Sequence, residues 1–162
     1  MGSSNKLKLA LFGATGSIGH QAINVCRRLD QYQIEVLSAG SDWQSLADLA
    51  LEHRPGWVTI ASTDNALQLE NALAGSKIKV IAGHEAATEA AAEADFDLAL
   101  NGMVGVSGLL PSYHTLLRGI NLALANKESL VLAGDLLNSV AAESGAKIIA
   151  VDSEHCAIMQ CL

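Results

Sequence analysis

Cysteine is scarce in this 162-residue chain: Cys26, Cys156 and Cys161 are odd in number and show no C-x-x-C spacing. That excludes a disulfide framework or a zinc site and suits reduced thiols in a cytoplasmic protein. Basic residues are in deficit, 10 against 17 acidic ones, for a net charge of −7. An acidic chain meets phosphate backbones with the wrong sign, so a nucleic-acid partner is excluded. No apolar run reaches the roughly 20 residues needed to span a bilayer. Met1 to Lys8 also lacks the charged-then-apolar order of a secretory signal. Aromatics make up 4% of the chain, and Trp43 and Trp57 read as packing residues. His20, His53, His84 and His114 lack partners at metal-ligand spacing and read as ordinary surface or half-buried residues.

What is present is apolar and evenly mixed. Half the residues are hydrophobic and 17% are charged, which argues against disorder. The length suits one domain, or one domain and the start of another. A chain of this size buries roughly 70% of its unfolded surface.

Short apolar runs alternate with longer amphipathic ones. Strands are expected at Leu7 to Gly13, Ile34 to Gly40, Trp57 to Ala61, Ile78 to Ala82, Leu98 to Leu100, Ile120 to Ala125 and Lys147 to Val151. Between them lie helical patterns. The first runs to about Asp30, with Ile18, Ala22, Val25 and Leu29 on its expected inner face. The second, Gln44 to His53, is stopped by Pro55. Asp64 is a plausible N-cap for the third, and the fourth spans Glu85 to Ala94. The fifth spans Gly105 to Arg118 with Pro111 in a first turn, and the sixth spans Glu128 to Ser144. Such alternation makes βαβ units and a parallel sheet covered on both faces.

Three segments carry chemistry. Gly13 to Gly19 reads G-x-x-G-x-x-G between a strand and a helix. Backbone N–H groups and the helix dipole concentrate positive potential at such a turn, and glycines let a pyrophosphate approach it. Thr15 and Ser17 add hydroxyl donors. At the end of the second strand, Gly40-Ser41-Asp42 stands where a dinucleotide's adenosine ribose is gripped. Ser41 can donate to a 2′-phosphate, whereas Asp42 repels one if it points inward, so NAD and NADP both stay open on these residues.

The second segment, Asn126-Lys127-Glu128, opens a helix after the sixth strand, at the edge where open sheets bind ligands. Lys127 there suits a phosphate or a polarised carbonyl oxygen and Asn126 can hydrogen-bond a nicotinamide or ribose, but taken alone the segment reads slightly better as a solvated loop with Glu128 in the first helical turn. The third, Val151-Asp152-Ser153-Glu154-His155, follows the seventh strand. In extended backbone Asp152 and Glu154 point the same way, a hard-oxygen pair suited to Mg²⁺ or Mn²⁺. A helix-capping acidic loop is the simpler reading of those residues unaided.

In order, four stretches resemble motifs of the 1-deoxy-D-xylulose 5-phosphate reductoisomerase family: Leu11-Phe-Gly-Ala-Thr-Gly-Ser-Ile-Gly19, Asn101-Gly-Met-Val-Gly-Val-Ser-Gly-Leu109, Leu124-Ala-Asn-Lys-Glu-Ser-Leu-Val131 and Val151-Asp-Ser-Glu-His-Cys-Ala-Ile-Met-Gln160. The resemblance implies a Rossmann-like, doubly wound α/β fold with a mainly parallel seven-stranded sheet and helices on both faces. It implies an NADPH-binding domain over residues 1–150 and, in 151–162, the truncated start of a catalytic domain. The implied enzyme needs NADPH and Mg²⁺ or Mn²⁺. It converts 1-deoxy-D-xylulose 5-phosphate, a sugar phosphate, to 2-C-methyl-D-erythritol 4-phosphate in isoprenoid biosynthesis, and is dimeric in full length; this chain alone is expected to be inactive.

By motif, Thr15, Gly16, Ser17 and Ile18 hold the cofactor pyrophosphate. Gly40, Ser41 and Asp42 occupy the adenosine-ribose position, and Asn126 and Glu128 complete the cofactor site. Lys127, Ser153 and Glu154 contact substrate, Lys127 and Glu154 act in catalysis, and Asp152 with Glu154 ligates the metal. The alternatives are a semialdehyde-type NAD(P)-dependent dehydrogenase, which needs a nucleophilic cysteine that neither Cys26 nor Cys156 is well placed to supply, and a non-catalytic nucleotide-binding module.

Overall fold

The computed structural model describes residues 6–151, so the proposed metal pair Asp152 and Glu154, with Ser153, lies outside the described residues. Seven strands alternate with six helices: β1 (Leu7–Phe12), α1 (Ser17–Arg28), β2 (Tyr32–Ala39), α2 (Trp43–His53), β3 (Trp57–Ile60), α3 (Ala66–Ala72), β4 (Lys79–Ala82), α4 (Ala86–Glu93), β5 (Leu98–Asn101), α5 (Leu109–Leu117), β6 (Asn121–Leu124), α6 (Lys127–Ser144) and β7 (Ile148–Ala150). Every neighbouring strand pair is parallel, in the order β4-β3-β2-β1-β5-β6-β7. The order reverses beside β1, which makes the carboxyl ends of β1, β2 and β5 the switch point of a doubly wound sheet.

Alternation along each strand divides the core in two. Leu9, Leu11 and Leu37 join Ile23, Leu46 and Leu69 of α1–α3 on one face. Ala10, Phe12 and Val36 join Ala90, Leu116 and Leu137 of α4–α6 on the other. This is the two-faced burial that a parallel sheet requires, and it bears out the expected seven-stranded, doubly wound α/β architecture.

Four local expectations need correction. On α1 the buried residues are Gly19 and Ile23, while Val25 and Leu29 are 49% and 43% exposed. The inner face is turned by one residue because Gly19 is pressed against the preceding turn: a Cβ there would lie 2.4 Å from the carbonyl oxygens of both Gly13 and Ala14. Asp64 does not cap α3; it sits inside a 3₁₀ turn, Thr63–Asn65, and α3 begins at Ala66. The stretch expected as one helix from Gly105 is a 3₁₀ turn, Gly105–Gly108, that feeds α5, with Pro111 in its first turn. Finally, α6 starts at Lys127 and is kinked at Ala133, whose φ and ψ of −146° and 31° are non-helical.

Candidate nucleotide-binding site

The turn from β1 into α1 is held from below. The N–H groups of Gly13 and Ala14 donate to the Ser38 carbonyl of β2 at 3.0 and 2.7 Å, and Gly16 N–H returns to Gly13 O at 3.1 Å. Gly13 has φ of +87°, and a Cβ there would lie 2.8 Å from the Gly102 carbonyl carbon. Gly13 and Gly19 are therefore demanded by the fold itself.

Gly16 is not. Its backbone is extended, and a Cβ would meet nothing nearer than Gly13 O at 3.4 Å. Gly40, across the cleft, has open space around its missing side chain. Both glycines are exposed and both line one cleft of 280 Å³, together with Thr15, Met103, Val104 and Ser107. Bare backbone facing a cleft, with no internal reason for glycine, is what a closely approaching ligand requires.

The helix ends around this cleft differ in a telling way. No side chain caps α1 at Gly16, and no acid lies in its first turn. By contrast Asp42 caps α2, accepting from Ser45 N–H at 3.1 Å, and Asn126 caps α6, accepting from Ser129 N–H at 3.1 Å. The α1 terminus thus offers its oriented N–H groups and positive dipole end outward. The Asp42 carboxylate is turned onto its own helix, where it holds the Ser45 N–H, and it stays exposed beside Ser41. The Ser41 carbonyl accepts from Asn65 Nδ2 at 2.7 Å; Asn65, 24 residues on, is a shaping residue that the sequence did not reveal.

The wall beside the glycine turn is Gly102 to Val104. Ile18, expected beside the pyrophosphate, packs here: a Cβ on Gly102 would lie 3.1 Å from its Cβ. Asn126 is 1% exposed, and its amide donates to Met103 O at 2.8 Å, Gly105 O at 2.9 Å and Glu128 Oε2 at 3.2 Å. Its side chain thus ties the start of α6 to this loop. Lys127 is exposed at the first position of α6, at the same sheet edge. The structure brings Thr15, Gly16 and Gly40 into one cleft, sets Ser17, Ile18, Ser41 and Asp42 at its borders, ties Asn126 to it through the Met103 and Gly105 carbonyls with Glu128 accepting from Asn126, and leaves Lys127 exposed beside them.

Elsewhere the titrations are displaced for structural reasons. Burial pushes the Cys26 thiol up, the opposite of an activated nucleophile. Burial holds His53 down despite Glu52, and pushes the Glu35 carboxyl up. A larger cavity of about 610 Å³, lined by Glu35, Arg54, Lys77 and Ile78, lies at the amino ends of the strands, away from the ligand edge. Among the described residues no group of three or more His, Cys, Asp or Glu is placed to hold a metal ion, and no helix is long and apolar enough to cross a membrane.

Comparison with known proteins decides the lineage. The sequence profile of 1-deoxy-D-xylulose 5-phosphate reductoisomerase matches residues 9–134. The chain belongs to the 1-deoxy-D-xylulose 5-phosphate reductoisomerase family. It is 40% identical over 158 residues to the reductoisomerase of Phocaeicola vulgatus, covering 97% of this chain and 41% of that one. It is 44% identical over 156 residues to that of a Ruegeria species, covering 96% and 39%. The Zymomonas mobilis reductoisomerase solved with NADPH superposes with a TM-score of 0.92 at 38% identity, over 98% of this chain and 42% of that one. A reductoisomerase solved with NADPH, fosmidomycin and magnesium gives 0.91 over 96% and 39%. The chain therefore spans about 40% of the length of these reductoisomerases. An archaeal homoserine dehydrogenase at 15% identity and a TM-score of 0.58 shares the fold alone. Membership of the reductoisomerase family sets aside the semialdehyde dehydrogenase alternative.

Proposed function

We propose that this chain is the NADPH-binding portion of a reductoisomerase that converts 1-deoxy-D-xylulose 5-phosphate to 2-C-methyl-D-erythritol 4-phosphate. Residues 1–150 make the nucleotide domain, and residues 151–162 begin the catalytic domain. One observation supports the cofactor above the rest: Gly16 and Gly40 bare their backbones to one cleft beside an uncapped α1, with no packing reason to be glycine. NADPH bound there supplies hydride for the reductive half of the reaction.

The chain's own residues divide the remaining work. The N–H groups of Ser17 and Ile18 and the Thr15 and Ser17 hydroxyls receive the pyrophosphate oxygens, and Gly16, its own N–H spent on Gly13 O, leaves room for their approach. Gly40 leaves room for the adenosine ribose. Ser41 donates to the 2′-phosphate, while Asp42 serves by capping α2 beneath it. Asn126 and Glu128 fix the approach of the nicotinamide end, Asn126 by holding the Met103–Gly105 loop. Lys127 places a fixed positive charge where a sugar phosphate's oxygens gather. Ser153 and Glu154 extend that substrate contact, and the Asp152 and Glu154 carboxylates form a hard-oxygen pair for Mg²⁺ or Mn²⁺, which when bound polarises the substrate ketone. Full turnover belongs to the longer chain, which we take to be a cytoplasmic homodimer of isoprenoid biosynthesis; alone this portion binds cofactor without catalysis.

Calorimetry with NADPH and NADH on the 162-residue chain tests the reading. NADPH should bind more tightly than NADH, and Ser41→Ala should narrow the gap. Binding of neither at millimolar concentration would refute the cofactor assignment.

A further inference from the structure

Resting on that cofactor reading, we infer that Asn101 is a positioning residue: with Asn126 it forms a buried two-amide bracket that fixes the Gly102–Val104 wall of the nucleotide cleft against the start of α6. Asn101 ends β5, the strand next to the central β1, and is fully buried. Its Oδ1 accepts from Met103 N–H at 3.0 Å, and its Nδ2 donates to Gly108 O at 2.7 Å and Ser112 Oγ at 2.8 Å. Ser112 Oγ in turn donates to Gly108 O at 2.9 Å. One amide thereby ties both ends of the excursion between β5 and α5.

Asn126 takes hold of the middle. Its Nδ2 reaches Met103 O and Gly105 O, while its Oδ1 accepts from Ser129 N–H and from the Ser129 hydroxyl. The two amides press on the same small residue: a Cβ on Gly108 would lie 2.8 Å from Asn126 Cγ and 3.1 Å from Asn101 Nδ2. Met103 is gripped twice, its N–H by Asn101 and its carbonyl by Asn126. Because Gly102 and Met103 also pack against Gly13, the bracket sets the width of the cleft on the side of the glycine turn. The adenosine side, Ser38 to Gly40, is built on β2 and owes nothing to it.

That asymmetry supplies the test. In Asn101→Ala, affinity for NADPH should fall about tenfold, the order expected when a buried hydrogen-bonding partner is removed. Affinity for adenosine 2′-monophosphate, which has no 5′-phosphate to reach the glycine turn, should stay within about twofold of wild type. The Met103 amide, whose hydrogen-bond acceptor is the Asn101 side chain, should exchange with solvent faster in the variant, as read by NMR or mass spectrometry. If Asn101→Ala does not fold, Ser112→Ala gives the same pattern in weaker form, since it removes one of the Asn101 contacts and leaves Gly108 O in place. Parallel loss of both ligands would reduce the bracket to general stabilisation and overturn the inference, as would unchanged NADPH affinity with unchanged Met103 exchange. Should the wild-type chain bind neither ligand, the cofactor reading fails, and the Met103 exchange rates still decide whether the bracket holds the loop.

Discussion

Two helical glycines in this chain should respond to alanine with opposite signs. Gly19 and Gly134 both lie inside helices, α1 and α6, and neither has positive φ. Helix propensity alone favours alanine at each by about 1 kcal/mol. At Gly134, directly after the Ala133 kink, nothing lies within 4 Å of the added Cβ, so that gain is the upper bound. At Gly19 the Cβ would sit 2.4 Å from two carbonyl oxygens and 2.6 Å from the Ala14 carbonyl carbon. All three atoms are backbone, in a turn already tied to Ser38, so no flexible side-chain end can give way. Overpacking of this kind costs about 3 kcal/mol, the upper end of the usual range. The net expectation is a loss of about 2 kcal/mol for Gly19→Ala and a gain of up to about 1 kcal/mol for Gly134→Ala.

For a chain of this size 1 kcal/mol moves Tm by about 2–4 °C. Thermal unfolding followed by circular dichroism should therefore place the two variants about 6–12 °C apart, on either side of wild type. The Gly19 variant should also lose NADPH affinity, because lifting α1 off the turn displaces the N–H groups of Ser17 and Ile18. A Gly19→Ala protein as stable as wild type would mean that α1 does not bear on the Gly13–Ala14 carbonyls, and the cleft built on that contact would have to be redrawn.

Two further outcomes follow from local contacts. Asp42→Ala removes the α2 cap and should destabilise the chain by about 1 kcal/mol, while NADPH binding stays level or tightens as a carboxylate leaves the 2′-phosphate side; a clear loss of NADPH affinity would mean that Asp42 contacts the cofactor after all. His53 is held below its ordinary value of about 6.5 by burial, so the unfolded chain binds the proton first and stability should fall as pH drops below about 6.5. Glu52, held low by Arg27, contributes its own loss only near the carboxylate range, so a His53→Gln variant should flatten the profile near pH 6 and leave the acid limb; an unchanged profile near pH 6 would show that His53 is not the group responsible.

What the sequence disclosed and what it withheld divide along one physical line. Strand and helix identity, the glycine turn and the parallel sheet were legible because each depends on local periodicity or on a short motif. The inner face of α1 was not. Its regular stripe of Ile18, Ala22, Val25 and Leu29 outweighs Gly19, a residue that scores nothing on hydropathy yet makes the closest approach to backbone atoms of any glycine described. Asp42, a ribose candidate by its place at a strand end, also caps α2, a role that only the Ser45 N–H distance discloses. Asn65 and Asn101 were missed because their partners are fixed by tertiary structure. Asn101 left one signal, an amide in the otherwise apolar run Leu98–Leu100, since a polar residue buried at the end of a central strand must be satisfied by something nearby.

On the proposed reading, a chain of net charge −7 receives a polyanion without a field of basic side chains. The solution lies in which helix termini are left open. Asp42 and Asn126 close α2 and α6 with their own oxygens, whereas α1 has neither a capping side chain nor a first-turn acid. α3 and α5 also lack a capping side chain and a first-turn acid; among these open ends, α1 is the one whose approach Gly16 keeps clear. The closed ends serve that one: the Asp42 cap anchors the β2–α2 corner beside Gly40, and Asn126 spends the rest of its amide on Met103 and Gly105 across the cleft. Recognition in this domain rests on oriented backbone, and its polar side chains act mainly by holding that backbone in place.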